Sequence, residues 1–469
     1  MDIDKLSATD RVFLDIEGGA IMMHIGAVIV FEGGDLVAPD GSLDAARVIR
    51  MLGASLGAAP RFRQVVKEVA GLGAVWVDDP RFRVERHIHH TAVPRPGTEA
   101  QLMALAGRVF SQPLDRRRAL WEAWLVEGLT DGRFALILKT HHAMTDGVAG
   151  LGLVASLLRA EPDAGPTSAP APWSPHPAPG TLALAAALVE DSARSIAGAI
   201  REVRHSWADH GASHARDIMA GLIETVREGT TPAAATSINP PELGAHREFL
   251  GVRLDLARAK SIRRALGGTI NDVALTAMTG ALRRHLARRG DRVDSLHDFR
   301  ALVPVNLRAL HDVPGASQGN HISLMLTPLP IALGDVRERF AAVHAACERL
   351  KHDSHEIEGG EFVERVADLG GPNVVTAVFR TASMLRAFNV TVTNVPGPQF
   401  PLYLGRSRME SIHGLVPLFT HQGVSVAIVS YDGGLFFGLL SDPDAVPDLG
   451  ALARDLNDAF DELAHAAGC

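Results

Sequence analysis

The sequence contains few of the residues that define several common classes of protein. Only two cysteines, Cys347 and Cys469, occur among 469 residues, which excludes a disulfide-stabilised scaffold and fits a reducing compartment. Aromatic residues make up 5% of the chain, too few for a platform that stacks RNA bases. The net charge is −8 and no basic run resembles a nucleic-acid patch, so we expect no binding to nucleic acid.

Long apolar segments are also scarce. Residues Met1 to Lys5 are acidic, and no apolar segment typical of a signal peptide follows them. The most apolar stretch outside the predicted strands, Thr181 to Val189, is interrupted by Glu190 and Asp191, well short of the roughly 20 residues that a membrane-spanning helix needs. We therefore expect a cytoplasmic protein that meets membranes only peripherally.

The remaining composition indicates a globular protein with a large core. Hydrophobic residues make up 46% and charged residues 21% of the chain, and its length allows two or three domains. A proline-rich stretch between residues 161 and 180 is typical of an extended linker. We predict an α/β (α+β) fold with mixed sheets, divided into an N-terminal half (1–160), a linker with bridging helices (161–245) and a C-terminal half (246–469).

Hydrophobic periodicity locates several elements within these halves. In the N-terminal half we predict a helix start at Ser7–Asp10, strands at His24–Phe31, Trp121–Leu129 and Phe134–Thr140, and a helix at Leu43–Leu56. In the C-terminal half we predict helices at Leu254–Leu266, Val273–Arg289 and Leu449–Ala466, and strands at His297–Val305, His321–Thr327, Val390–Asn394, Val424–Tyr431 and Leu435–Leu439. The stretch around His87, His89 and His90 is interpreted as exposed and polar.

The run His141-His142-Ala143-Met144-Thr145-Asp146-Gly147 is the most informative motif. It follows the apolar strand at 134–138 and precedes an apolar segment at 148–158 that has the composition of a buried helix. Loops at the ends of buried strands often carry catalytic groups, because a rigid scaffold aims them. Histidine is the side chain best suited to take a proton near neutral pH. The motif therefore favours a general base.

Two other interpretations of the paired histidines stay open. A histidine at a strand end is commonly a packed, hydrogen-bonded structural residue. His141, His142 and Asp146 are also of the types that bind zinc or iron. A metal site needs a third ligand, however, and adjacent residues of an extended strand point to opposite faces. We expect no metal at this motif.

Five segments in order resemble the bacterial wax ester synthase/acyl-CoA:diacylglycerol acyltransferase family, and the resemblance covers nearly the whole chain. They are the paired-histidine run, the opening Leu6–Asp10 with Met23–Gly26, the segment Pro113–Glu122 (similar to PLDRxRPLWE), Thr269–Val273 (TxNDV) and Asn394–Pro398 (NVPGP). Departures from the family pattern are Ala119 in place of proline, Asn306 in place of serine, and a looser segment at Arg247–Phe249.

The resemblance implies a chloramphenicol-acetyltransferase-like fold in each half, with an active-site tunnel at the interface between them. Long-chain acyl-CoA would enter from one side, and diacylglycerol or a long-chain alcohol from the other. Acyl-CoA would be a co-substrate, and no cofactor is implied. Peripheral attachment to the inner membrane face or to lipid droplets is expected, because the substrates are apolar.

The resemblance also implies a role for individual residues. The catalytic group would be His142, His141, Asp146 and Gly147, with His142 as the general base. His141 would shape the loop, hydrogen-bond the backbone or take part directly in catalysis. Asp146 would hold the turn by pairing with an arginine or capping a helix, and Gly147 would allow close approach of substrate. Asn271 would stabilise the thioester oxyanion or orient the acceptor, and Asp272 would bind substrate or cap the helix from Val273. Structural roles fall to Arg308, a candidate partner of Asp146, and to Asn394, Pro396 and Gly397 in turns.

The leading hypothesis is an O-acyltransferase that makes triacylglycerol, with wax esters as a possible second product. The first alternative is an acyltransferase of the same fold that uses another alcohol acceptor. The second is a lipid-binding paralogue with weak catalysis. The chain has no GxSxG segment, so direct transfer is favoured over a serine acyl-enzyme.

Overall fold

Two mixed β-sheets, each flanked by helices, form the framework of the computed structural model. The structure describes residues 4–56, 59–69, 73–144, 157–162, 173–180, 182–186, 188–189, 231–306, 322–356 and 384–469. The strands are β1 (His24–Phe31), β2 (Gln64–Val69), β3 (Gly73–Asp78), β4 (Ile88–Ala92), β5 (Trp121–Glu127), β6 (Phe134–His141), β7 (Glu248–Asp255), β8 (Arg300–Asn306), β9 (Ile322–Pro328), β10 (Val390–Pro396), β11 (Tyr403–Leu404), β12 (Ser407–Leu415), β13 (Val424–Tyr431) and β14 (Gly434–Ser441). The helices are α1 (Ala8–Ile16), α2 (Ala45–Leu56), α3 (Glu99–Phe110), α4 (Leu256–Leu266), α5 (Ile270–Arg288), α6 (Val336–Glu356) and α7 (Leu449–Ala466).

The first sheet has the strand order β11-β12-β1-β6-β5-β4, and the second β7-β14-β13-β10-β8-β9. Both sheets are mixed: β4 runs parallel to β5, and β10 runs parallel to both β13 and β8, whereas the other pairs are antiparallel. Strands β2 and β3 form a separate antiparallel ribbon. This arrangement confirms the predicted α/β class with mixed sheets.

Strand β6 is buried along its whole length and leads to the paired histidines. Leu136 and Leu138 pack into one hydrophobic cluster, whereas Ala135 and Ile137 pack into another on the opposite face. A strand covered on both faces reads as a continuous apolar run, which explains the sequence pattern at 134–138. β6 forms the predicted hairpin with β5, in which Trp121 pairs with Thr140, so His141 lies at the far end of the hairpin.

Strand β12 joins the two halves, because it comes from the C-terminal part of the chain yet pairs with β1 in the first sheet. Where it crosses β14, the backbones approach so closely that a Cβ atom at Gly438 would overlap the Gly414 carbonyl oxygen. Gly251 likewise leaves room for the ring of His413. A further contact between the two halves is the hydrogen bond that the Arg247 backbone N–H donates to Ser111 Oγ at 2.8 Å. The predicted domain boundaries at 160 and 246 stay predictions.

The structure corrects several sequence-based predictions. Helix α5 begins at Ile270 rather than Val273, and α4 begins at Leu256 because Glu248–Asp255 forms β7. Strand β8 begins at Arg300 rather than His297. The stretch at 87–90 is not simply exposed: Ile88–Ala92 forms β4, and His87 is buried with its ring stacked 4.7 Å from that of Trp121. Strand pairing with β5 overrides the polar composition of this stretch.

Candidate active site

The paired histidines lie where β6 leaves the first sheet. His141 is the last residue of β6 and is paired with His24, the first residue of β1. The His142 backbone N–H donates to the Met23 carbonyl oxygen at 2.7 Å, and the Met144 N–H donates to the His141 carbonyl oxygen at 2.9 Å. The loop therefore starts from backbone positions fixed by the sheet.

His141 itself is enclosed by protein. Its side chain is fully buried, and its Nδ1 accepts a hydrogen bond from the Ala143 N–H at 3.0 Å. Nδ1 as an acceptor places the proton of the neutral ring on Nε2. That nitrogen lies 3.5 Å from Glu17 Oε2, so His141 connects the loop to a carboxylate just after α1.

Glu17 gathers several groups around this loop. Its Oε1 lies 3.2 Å from His24 Nε2 and accepts the Met23 N–H at 3.2 Å. Its Oε2 accepts Arg116 Nη2 at 2.7 Å. Met23 thus donates its N–H to Glu17 and accepts the N–H of His142, so one residue transmits the position of the carboxylate to the backbone of the second histidine.

The charge of Glu17 is set by these partners. Burial raises the pKa of its carboxyl, but hydrogen bonds and charge interactions with His141 and His24 outweigh burial and hold the pKa well below its ordinary value. Burial also lowers the pKa of His24 to about 4, against the opposing effect of Glu17. Near neutral pH, the cluster therefore contains an ionised carboxylate and a neutral His24 ring.

His142 presents its ring to an apolar surface. The ring stacks on Phe13 of α1 with centroids 4.0 Å apart and an interplanar angle of 28°. Burial is the largest cause and lowers the pKa of His142 to about 4. At neutral pH the imidazole is uncharged, which is the form that accepts a proton.

Buried histidines predict a loss of stability in mild acid. Burial lowers the pKa of His24 and of His413 to about 4, whereas an unfolded histidine titrates near pH 6.5. Between these values only the unfolded chain takes up the protons, so the free energy of unfolding falls with pH by up to about 1.4 kcal/mol per pH unit for each site. Urea denaturation at pH 7 and pH 5 measures the fall. His413→Gln should reduce the pH dependence and the exposed His465→Ala should leave it unchanged; equal stability at both pH values in the wild type would contradict the prediction.

Asn271 and Asp272 lie in the first turn of α5, beside the second sheet. Thr269 is the N-cap, and Asp272 forms a capping box with it: the Asp272 N–H donates to Thr269 Oγ1 at 3.2 Å, and Asp272 Oδ2 accepts the Thr269 N–H at 2.8 Å. The same oxygen lies 2.9 Å from His344 Nδ1. Asp272 is fully buried. The prediction that it caps a helix from Val273 is wrong, because the helix begins at Ile270 with Thr269 as its N-cap and Asp272 lies within the first turn.

The asparagine motifs of α5 and β10 meet. Asn394 donates from Nδ2 to Asn271 Oδ1 at 3.1 Å. The turn after β10 is close-packed, because a Cβ atom at Gly397 would overlap the Ser430 carbonyl oxygen, and the Gly397 N–H donates to Ser430 Oγ at 3.3 Å. Pro396 is exposed at the end of the strand. The contact orients the Asn271 amide by a side chain from the middle of the second sheet.

The predicted site residues thus fall into two described groups, the histidines on the first sheet and the asparagines on the second. Asp146, Gly147 and Arg308 lie outside the described residues, and their roles stay predictions. Sequence reasoning missed Glu17 and the pairing of His24 with His141. It also missed Lys139, whose fully buried Nζ donates to the Val109 carbonyl oxygen at 2.9 Å. The predicted strands at 24–31 and 134–140 offered a signal for His24, because antiparallel pairing of these strands places His24 beside His141.

Comparison with solved structures places this fold among proteins with known architecture. A wax ester synthase/diacylglycerol acyltransferase from Marinobacter aquaeolei superposes with a TM-score of 0.70 at 23% identity, covering 99% of this chain and 100% of that one. The first condensation domain of the calcium-dependent antibiotic synthetase gives a TM-score of 0.60 at 18% identity, with 99% and 96% covered. The trichothecene 15-O-acetyltransferase from Fusarium sporotrichioides gives 0.62 at 13% identity, with 98% and 94% covered. The chain therefore shares its fold with these three proteins.

Sequence comparison identifies the family within that class. The wax ester synthase/diacylglycerol acyltransferase catalytic domain matches residues 6–274, and the C-terminal domain of the same family matches residues 318–464. A probable diacylglycerol O-acyltransferase from Mycobacterium tuberculosis is 33% identical over 98% of this chain and 96% of its own length. The chain belongs to the wax ester synthase/diacylglycerol acyltransferase family and is an acyltransferase.

Proposed function

We propose that the protein transfers a long-chain acyl group from acyl-CoA to the free hydroxyl of diacylglycerol, with triacylglycerol as product. Long-chain alcohols are the second acceptor class, and they would give wax esters. Family membership supports this reaction, and so does the similarity to a mycobacterial protein described as a probable diacylglycerol O-acyltransferase. The observation that carries the proposal is the position of His142, which directly follows a fully buried strand and has its ring stacked on Phe13.

The proposed chemistry is direct transfer in a ternary complex. His142 accepts the acceptor's hydroxyl proton as the oxygen attacks the thioester carbonyl carbon. The tetrahedral intermediate collapses, the carbon–sulfur bond breaks, and the imidazolium returns the proton to the leaving thiolate of CoA. A positioned base contributes roughly 10²–10⁴-fold to such a step. The atoms balance without a resident cofactor, because the thioester supplies both the acyl group and the leaving group.

Asn271 is the proposed oxyanion stabiliser or acceptor-orienting group. Its partly buried amide is held by Asn394, and a donor whose position is fixed in advance stabilises developing negative charge more than a mobile one does. Asp146 is proposed to hold the turn after His142, with Arg308 as its partner. The two sheets meet along β12, and we propose that the acyl-CoA and acceptor tunnel runs between them.

The proposed location is the cytoplasmic face of the inner membrane or the surface of lipid droplets, where both apolar substrates collect. Among the residues that the structure describes, the helices are too short or too polar to cross a bilayer. Flotation of the purified protein with diacylglycerol-containing vesicles tests the location: recovery in the lipid fraction is expected, and recovery only in the dense fraction would contradict it.

A thiol-release assay tests the reaction. Purified protein is mixed with palmitoyl-CoA and, in parallel, with diacylglycerol, hexadecanol or glycerol, and free CoA thiol is followed together with the ester product. We expect thiol release that depends on diacylglycerol, with a smaller rate for hexadecanol. Release with another alcohol only would indicate a different acceptor, and binding of palmitoyl-CoA without release for any alcohol would refute the proposed function.

A further inference from the structure

A cavity of about 270 Å³ opens beside the edge of the first sheet, away from the histidine loop. It is slightly smaller than a typical small-molecule site, which suits a terminal group of a ligand rather than a whole one. Its walls come from the segment before β4 and the segment before β5. Five arginines line it: Arg81, Arg83, Arg86, Arg117 and Arg118.

The charge of this cavity is opposite to that of the chain. The whole protein carries −8, yet the cavity gathers the five guanidinium groups against two carboxylates, Asp79 and Asp115. A concave surface lined by one sign of charge concentrates ligands of the other sign. The cavity is therefore built for an anion.

Both carboxylates are already engaged. Asp115 pairs with Arg117 at 2.9 Å and with Arg118 at 3.6 Å, and these contacts, the side-chain hydrogen bond of Arg117 first, hold its pKa below the ordinary value. Asp79 is buried and accepts the backbone N–H of Arg81 at 2.8 Å. Among the described residues, no carboxylate lies within ion-pair distance of the guanidinium groups of Arg81, Arg83 or Arg86. Within the described part of the chain, these three guanidinium groups therefore have no carboxylate partner.

The position of the cavity connects it to the site on the same sheet. Its inner wall is His87, which stacks on Trp121 and whose Nδ1 lies 2.9 Å from the Trp121 carbonyl oxygen. Leu120, two residues after Arg118, accepts the His141 N–H at 2.9 Å. Trp121 belongs to the same hydrophobic cluster as Phe13, on which the His142 ring stacks. His87 in the cavity wall and the proposed base His142 therefore stack on two members of the same hydrophobic cluster, Trp121 and Phe13.

We propose that this arginine-lined cavity binds the phosphate groups of the acyl donor, the polyanionic end of acyl-CoA. The inference rests on the proposed function, which requires a ligand with an apolar acyl group at one end and phosphates at the other. Guanidinium groups match phosphate oxygens with paired hydrogen bonds. An anionic lipid headgroup offers the same phosphate chemistry, and the test separates the two sources.

The test compares the wild type with the combined variant Arg81→Ala, Arg83→Ala and Arg86→Ala. These side chains are exposed, so the variant should fold normally. Titration calorimetry with CoA and with 3′-dephospho-CoA is the first readout. We expect wild type to bind CoA more tightly than the dephosphorylated form, and the variant to bind CoA about 10-fold more weakly or worse. The matched control is Arg264→Ala, an exposed arginine on α4, which should bind like wild type.

Kinetics and vesicle binding complete the test. In the thiol-release assay, the variant should show a raised KM for palmitoyl-CoA with kcat nearly unchanged. Unaltered CoA binding and KM would overturn the proposal, as would a variant that loses binding to phosphatidylglycerol vesicles while its CoA affinity stays at the wild-type value. Failure of the proposed function would give a different result: the wild type would bind CoA through these arginines but would transfer no acyl group to any acceptor.

Discussion

His142→Ala will lower the rate of acyl transfer by roughly 10²–10⁴-fold, because the alcohol loses the base that accepts its proton. The folded structure should survive. The strand that leads to this position is held by β1 and β5 through backbone pairing, and the His142 N–H that donates to Met23 is retained by alanine. Thiol release at saturating palmitoyl-CoA and diacylglycerol measures the rate, and urea denaturation measures the free energy of unfolding.

Two further variants make the result specific. His142→Gln retains a polar side chain of similar size but cannot act as a base, so it should be as inactive as the alanine variant. His465→Ala, at an exposed position near the end of α7, should keep wild-type activity. Full activity of either variant at 142 would refute the assignment of the base.

Glu17→Ala will lower both activity and stability, although Glu17 need not touch the substrate. The variant removes the acceptor of the Met23 N–H and the partner of His24, His141 and Arg116. Loss of a largely buried charged partner costs about 2–4 kcal/mol of unfolding free energy. Misplacement of His142 through Met23 should lower kcat by about 100-fold, with a smaller change in KM for palmitoyl-CoA.

The pH dependence of the free energy of unfolding, measured by urea denaturation, identifies the charge of Glu17 as the source of the lost stability. Because the pKa of Glu17 is lowered in the folded protein, its contribution to stability is present above the ordinary carboxyl pKa of about 4.3 and is lost as the pH falls below that value. The variant should therefore differ from wild type most at neutral pH and least in strong acid. Asp15→Ala removes a carboxylate from the last turn of α1 that pairs with Arg11 at a partly exposed position, and it should change stability by less than about 1 kcal/mol. Equal kcat for wild type and Glu17→Ala would contradict the positioning role.

Local sequence patterns predicted the elements whose neighbours are close in the chain. Leu449–Ala466 was predicted and observed as a helix with the same bounds. The predicted hairpin of β13 and β14 also formed, with Asp432 and Gly433 as its turn and Gly434 as the first residue of β14. The hairpin of β5 and β6 placed the paired histidines at a strand end. These features depend on periodicity and turn chemistry, which a single sequence contains.

The remaining features depend on partners far away in the chain. The sequence of β12, from Ser407 to Leu415, has no regular alternation, and it is a strand because it pairs with β1. Glu17 is one acidic residue among many until folding brings His24, His141 and Arg116 to it. The start of α5 could have been predicted correctly, because Thr269 and Asp272 have the spacing of a capping box. The arginine cavity needs two segments about 30 residues apart, which only the pairing of β4 with β5 brings together.

The placement of β12 has a consequence for biosynthesis and for engineering. During synthesis, the first 245 residues leave the ribosome before β12, which pairs with the edge of β1, has been made. The nascent sheet then has an unpaired edge strand, and such an edge promotes aggregation. Chimeras that exchange halves between relatives at the linker would separate β12 from the sheet in which it pairs. A graft of residues 407–415 together with the N-terminal portion should restore soluble expression to such hybrids.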